Sequence, residues 1–465
     1  MRRSSLLVSL LAILAGAAAR AGSNDEAVER YLLAEMQRQH IPGLALGVVR
    51  DGRPVLLKGY GRATLEHDVA VTPDTVFQIG SVGKQFTAVA VMLLANEGKL
   101  SLDDPLQKYL PEVPDSWHAV TLRLMLNHQA GIAQFTTPQR QLLDVAHNYT
   151  DAELIRLAVS QPLEFEPGTD VSYSDTAYVL LGFVINQVAG QFYGDLLQAR
   201  VFGPLGMSRT RVISDADIVP GRASGYELRD DGSLRNQVPV SPALNRTADG
   251  SLYSTVNDLV RWDHALDGDG VLPHTQLERM WQIDAHSTGQ RPLYHFGYGW
   301  ENNHLKDQRL IEYDGNWQGF QAVMSRYAGA HVSVILLTNL SLCRTERMAH
   351  AVAGLMDPAL APYPRRIVDH SPAMTQRFRR FLEALRQSPE QSGSAAFSAV
   401  EVSRATLHRM LVEAGPVLDL SVAEDHLAGG VRERVYRVEQ TDMVDFYRVA
   451  YHGDRARAIE LLREY

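Results

Sequence analysis

Apolar positions alternate with a period of two near both ends of the first 340 residues, and they recur at helical spacing in between. Residues 44–62, LALGVVRDGRPVLLKGYGR, read as two strands joined at Asp51-Gly52. An Asp-Gly pair supplies the positive φ angles of a tight hairpin turn. A mostly helical middle follows. Residues 84–97 read as one helix with Gly98 just past its end. TDAELIRLAVSQ begins a second, capped by Thr150 or Asp151, and DTAYVLLGFVINQVAG is a third that closes on Gly190. After residue 292 the strand pattern returns in HFGYGWEN, QRLIEYDG, FQAVMSRYAG and HVSVILLTN. The fold class expected is α/β in the α+β sense. One antiparallel sheet, built from both ends of the domain, is flanked by helices and carries a helical subdomain.

This main domain is expected to cover residues 22–368, because DPALAPYPRR is a proline-rich exit. Residues 369–396 read as a linker, with TQRFRRFLEALRQ an amphipathic helix and SPEQSGSAA a polar break. Residues 397–465 form a second, α+β domain. It begins with a helix near Phe397, and VRERVYRVEQ and MVDFYRVAYH alternate as antiparallel strands. A helix laid over a curved sheet, cystatin-like or nuclear-transport-factor-like, is the expected form.

Composition adds the compartment. At 45% hydrophobic and 21% charged, the 465 residues suit a soluble globular protein of two or three domains. The start does not belong to the fold. MRRSS is a positive n-region, LLVSLLAILAGAAA is too short an apolar run for a membrane span, and ARA before Gly22 fits a cleavage site after Ala21. Residues 1–21 therefore read as a signal peptide and the mature chain as periplasmic or secreted, with no integral membrane span. Arg2, Arg3 and Arg20 are the only charges among these residues, so their removal takes the net charge from −9 to −12. So acidic a chain is a poor partner for nucleic acid. The one cysteine, Cys343, leaves no intrachain disulfide.

The candidate chemistry lies in QIGSVGKQFTAVAV. Ser81 and Lys84 are three residues apart, about one helical turn, and so share a face. A serine hydroxyl must lose its proton to attack a carbonyl, and a neighbouring amine can take that proton or hold a second base in its charged form. A helix N-terminus also favours a developing oxyanion. Taken alone, Ser-x-x-Lys is common, and Ser81 could be a plain helix cap.

The surroundings carry a family pattern. FQIGSVGKQFTAVAVMLLANEGKLSLDDPLQKYLP, LMLNHQAGI, FEPGTDVSYSDTAYVLLGFVI, VFGPLGMSRT and DGNWQGFQ follow one another over roughly residues 40–340. In that order they resemble the serine β-lactamase and penicillin-binding-protein superfamily, in its class C, D-aminopeptidase and esterase branch. The resemblance implies Ser81 as nucleophile, Lys84 as its partner, and Tyr173 as the tyrosine of the Tyr-x-Asn motif, proposed in the family as general base. With a phenol pKa near 10, Tyr173 would need the Lys84 cation to favour its phenolate. Whether Tyr173 or Lys84 is the base stays open.

Two positions depart from the pattern. Asp175 stands where the family keeps asparagine. It would pair with Lys84 but hold a substrate amide poorly; capping the following helix is its ordinary role. The third motif, usually Lys-Thr-Gly or His-x-Gly, is Tyr313-Asp314-Gly315. A neutral hydroxyl replaces the cation that would meet a substrate carboxylate, and Tyr313 also suits an ordinary strand position. Gly315 lets the strand edge approach the substrate, and the N–H of Asn316 would join that of Ser81 in an oxyanion hole. Asp175, Tyr313, Gly315 and Asn316 are thus the expected substrate-binding positions, and both departures weaken recognition of penicillins.

Other classes fit less well. There is no His-Glu-x-x-His or paired Cys-x-x-Cys for zinc, no Gly-x-Ser-x-Gly elbow and no phosphate-binding glycine loop, so no metal and no cofactor is expected. The expected partner is a small acyl substrate or short peptide. The expected activity is hydrolysis of an ester or amide through an acyl-enzyme: esterase, D-aminopeptidase, carboxypeptidase or weak β-lactamase. The rival is a penicillin-binding or sensor-type pseudoenzyme acting without efficient turnover. The oligomeric state has no signature.

Overall fold

The computed structural model describes residues 24–462 other than 138–139, 215, 230, 285–294, 306–307, 362–366, 389–406, 409–410, 413–414, 429, 441–443 and 454. The expected signal peptide and the start of the expected helix near Phe397 lie outside the described residues. Among the described residues no helix is long and apolar enough to cross a membrane. The chain divides into two units, residues 1–360 and 361–465.

The first unit is organised by a seven-stranded sheet in the order β4-β5-β6-β7-β1-β2-β3. Its strands are β1 (Gly43–Arg50), β2 (Arg53–Thr64), β3 (Val69–Ala70), β4 (Glu301–Leu305), β5 (Gln308–Trp317), β6 (Phe320–Tyr327) and β7 (Val332–Thr338). Every pairing is antiparallel, and β1 joins β7, Leu44 opposite Thr338, so both ends of the domain close one sheet as expected. Asp51 and Gly52 turn the first hairpin with φ of 51° and 69°. Successive strand residues point to opposite faces, yet β1 through Val49, β6 and β7 are buried at every position. Both faces of the central strands are therefore covered, which is why they read as continuous apolar runs.

The helical block packs around α1 (Lys84–Asn96), whose side chains from Lys84 to Leu94 are all buried. A helix apolar on all sides belongs in a core. Next come α2 (Asp151–Val159) and α3 (Asp175–Ala189). Thr150 and Glu153 complete a capping box on α2, and Gly190 ends α3 with φ of 67°. The segment HFGYGWEN is strand only from Glu301 onward, with an isolated bridge at Phe296.

The second unit sets α4 (Pro372–Gln387) against a four-stranded antiparallel sheet, β8 (Val417–Ala428), β9 (Val431–Gln440), β10 (Val444–His452) and β11 (Arg455–Leu462). Phe378 of α4 stacks on Tyr436 of β9 at 4.7 Å. Among its described residues Arg434 is a fully buried cation, and it pairs with Asp369 and Asp425.

Candidate active site

Ser81 does not sit in the first turn of an α-helix. It lies in a 3₁₀ turn, Gly80–Gly83, that runs directly into α1 at Lys84. In a 3₁₀ turn residues i and i+3 eclipse, so the serine and lysine side chains stand closer together than on an ideal α-helix. Lys84 is fully buried. Its ammonium donates to Ser81 Oγ at 3.0 Å, to Asp175 Oδ1 at 2.5 Å and to the main-chain carbonyl of Asp249. A buried ammonium needs partners for its three protons, and these three groups supply them.

Tyr173 ends the extended segment that enters α3, and Asp175 is the first residue of that helix. Tyr173 reaches Ser81 and Asp175 reaches Lys84 and Tyr173, while Ser174 between them turns back. Ser174 caps α3 by accepting from Ala177 N, so Asp175 is released from the capping role and pairs with Lys84. Tyr173 Oη lies 2.6 Å from Ser81 Oγ and donates to Asp175 Oδ1 at 2.8 Å. Gln134 fixes Asp175 further: its amide donates to Oδ2 at 3.3 Å, and its carbonyl accepts from Asp175 N at 2.9 Å.

The third wall is β5. β4 pairs with it only as far as Glu312, so among the described residues no strand lies beside the edge from Tyr313 to Trp317. Ladder alternation shows which groups face outward. Asn339 N donates to Gly43 O, so Thr338 turns its main chain toward Gln321. Asn316, opposite Gln321, must then point its N–H away from β6, to the free edge. The serine turn packs against that edge with no room for side chains. A Cβ on Gly315 would fall 2.2 Å from Ile79 O and 2.7 Å from Ser81 N; one on Gly80, whose φ is 51°, would fall 2.8 Å from Asn316 N.

The electrostatics differ from the expectation that Lys84 would ionise Tyr173. Burial first, and the Asp175 charge second, push the Tyr173 phenol well above its ordinary 10.0. The ammonium lies 4.9 Å from the centre of the Tyr173 ring rather than on its hydroxyl. Burial also acts to raise Asp175, but the charge and hydrogen bond of Lys84, with those from Tyr173 and Gln134, overcome it and hold Asp175 below its ordinary value.

Three neighbours were not singled out from sequence: His128, Gln134 and Asp249. His128 is buried at a φ of 60°, and its ring stacks 4.8 Å from that of Tyr173. Burial, then the Lys84 charge, push it down to about 3, so the ring is neutral. Ser174 N donates to Nδ1 at 3.1 Å, which places the ring proton on Nε2, where it donates to the Tyr313 hydroxyl at 3.3 Å. Tyr313 is only 2% exposed, and its hydroxyl is turned to His128 rather than to Ser81. His128 and Gln134 lie in and just after the LMLNHQAGI landmark; only Asp249 lacked any pattern around it. Among the described residues no cluster of three or more metal-ligating side chains occurs.

Asp249 supplies a pH-dependent stability term. Its side chain is buried and Oδ1 has no hydrogen-bond partner. Burial first, then the Asp175 charge, push it up to about 6 against the pull of Lys84. An acid raised in the fold contributes stability below its unfolded pKa, near 4, and loses it as pH rises through 6. Asp249→Ala, which keeps the main-chain carbonyl, is therefore expected to be about 2 kcal/mol more stable than wild type at pH 7 and no more stable at pH 4. Denaturant melts at the two pH values check this; an equal shift at both would contradict it.

Known proteins resemble this chain over most of its first unit. The family model described as Beta-lactamase matches residues 28–353. Penicillin-binding protein 4* of Bacillus subtilis (strain 168) is 27% identical over 293 residues, 60% of this chain and 64% of the relative. The D-aminopeptidase of Gluconobacter oxydans (strain 621H) is 24% identical over 303 residues, 64% of this chain and 56% of the relative. The match thus spans less than two thirds of the length of either relative. Among solved structures, an octameric penicillin-binding protein homologue from Pyrococcus abyssi shares the fold with a TM-score of 0.62 at 21% identity, over 94% of this chain and 98% of that one. A family match across most of the first unit, on a sheet and helical block that bring Ser81, Lys84 and Tyr173 into mutual contact, shows that the chain belongs to the beta-lactamase family.

Proposed function

We propose that this chain is an exported serine hydrolase that cleaves an ester or amide through an acyl-enzyme on Ser81. One observation carries the proposal: Ser81 Oγ lies within hydrogen-bond reach of both Tyr173 Oη, at 2.6 Å, and Lys84 Nζ, at 3.0 Å. Such contacts let the hydroxyl lose its proton as it attacks. The N–H groups of Ser81 and Asn316 would hold the tetrahedral oxyanion, a role supported by the close approach at Gly80 and Gly315. Collapse expels the alcohol or amine, and water then releases the acyl group by the same route.

The substrate class follows from what surrounds these groups. The third motif offers the buried hydroxyl of Tyr313 in place of a cation, and Asp175 in place of an amide donor. Both favour small esters and amides, including amides of amino acids and short peptides, over β-lactams with a free carboxylate. The D-aminopeptidase relative supports that class. Residues 1–21 support export to the periplasm or beyond.

Two measurements test this. Intact-mass analysis after fluorophosphonate treatment should find one adduct, on the peptide that carries Ser81. Chromogenic short-chain esters should be cleaved faster than nitrocefin. An adduct elsewhere rejects Ser81 as nucleophile, and nitrocefin turnover that rivals ester cleavage rejects the roles given to Asp175 and Tyr313.

A further inference from the structure

We propose that Asp175 is the terminal proton acceptor of acylation, taking the Tyr173 hydroxyl proton as Tyr173 takes that of Ser81; this presupposes the acyl-enzyme on Ser81. The side chains form a continuous chain of hydrogen bonds. Ser81 Oγ is 2.6 Å from Tyr173 Oη, and Tyr173 donates to Asp175 Oδ1 at 2.8 Å.

A neutral phenol cannot accept a proton and keep its own. Either it is already phenolate when the serine attacks, or it hands its proton on in the same event. Burial and the Asp175 charge keep Tyr173 neutral. Lys84 as a cation has only donors to offer, and they go to Ser81, Asp175 and the Asp249 carbonyl. Asp175 Oδ1 is the acceptor already in contact with the phenol proton. An asparagine amide, the residue usual in the family pattern, is no base at this pH, so a relay of this kind follows from the departure at position 175.

The step balances within the chain. The Ser81 O–H bond breaks and its proton joins Tyr173 Oη. The Tyr173 O–H bond breaks and its proton joins Asp175 Oδ1. The serine electron pair forms the new C–O bond, and the carbonyl π pair moves onto oxygen. Negative charge thus leaves Asp175 and appears on the oxyanion, with the Lys84 cation still 3.0 Å from Ser81 Oγ. Charge is relocated inside the cluster rather than created. Asp175 is a weak base at rest because Lys84 holds it below its ordinary value. Proton uptake must therefore be concerted with attack. On collapse the proton returns through Tyr173 to the leaving alcohol or amine.

The test is the acylation burst with a chromogenic ester in H₂O/D₂O mixtures, for wild type and Asp175→Asn. Two protons in flight give wild type a curved proton inventory. Asp175→Asn is nearly isosteric but accepts no proton, so its burst should slow by about 10²-fold or more and its inventory become linear. A linear wild-type inventory overturns the proposal, as does a variant that keeps the curvature or acylates at the wild-type rate. The wild-type inventory decides even if the variant misfolds. Turnover that persists in Ser81→Ala would instead overturn the acyl-enzyme itself, which separates the two failures.

Discussion

Ser81→Ala is expected to lower ester turnover by about 10⁵-fold or more, while the protein remains folded. The size of the loss follows from the covalent route. Without the hydroxyl no acyl-enzyme forms, and the oxyanion donors and binding groups alone leave only a small residual rate over the uncatalysed reaction. The fold should tolerate the change because Lys84 keeps Asp175 and the Asp249 carbonyl as partners, and Tyr173 keeps Asp175. Burst kinetics with a chromogenic ester, together with thermal melts, check both halves. A variant retaining more than about 1% of wild-type turnover would contradict the covalent mechanism.

Lys84→Met is expected to damage activity and stability together. It removes the cation beside Ser81 and lowers acylation by about 10³-fold. It also strips Asp175 of its ion pair and leaves the Asp249 carbonyl without its donor. Breaking one side of a buried pair costs about 3–5 kcal/mol. The Asp175 side chain retains 37% of its exposure, so water screens part of that, and about 2–3 kcal/mol is the expected loss at pH 7. The pH dependence has a definite sign. Asp175 is depressed in the fold, so the Lys84 contribution is full above its unfolded value, near 4, and is lost as pH falls through the depressed one. The gap between variant and wild type should therefore narrow in acid. Denaturant melts across pH 3–7 measure it; a gap that stays constant would show that the pair contributes packing rather than charge. Lys84→Met combined with Asp175→Asn should recover part of the loss, because the uncompensated carboxylate is gone.

The fold was legible where a local pattern determined it. Asp51-Gly52 announced its hairpin, Gly190 its helix end, and Thr150 or Asp151 a helix start that the structure assigns to Thr150, each because the signal needs only nearby residues. The closure of one sheet by β1 and β7 was legible too, since strands at both ends of the domain had few other places to pair. The chemistry was less legible where it depended on contacts between distant segments. Ser81, Lys84 and Tyr173 could be nominated from their motifs. That burial and Asp175 hold the Tyr173 phenol neutral could not, because burial is a property of the packed interior. The choice of Ser174 over Asp175 as cap rests on a one-residue difference in backbone direction. His128 shows the same limit: it lay inside a quoted landmark, yet its protonation and its bracing of Tyr173 and Tyr313 depend on the fold around it. Asp249 meets Lys84 through a carbonyl that every residue type possesses, so the sequence holds no trace of the contact.

That last contact separates two jobs at one position. The anchor for the lysine is peptide backbone and survives any substitution, whereas the attached side chain sets a charge next to it. Residue 249 is thus an electrostatic dial that substitution can turn without moving the frame. A single substitution there would retune the acidity of the nucleophile cluster in this chain, leaving the serine, the lysine and the tyrosine untouched.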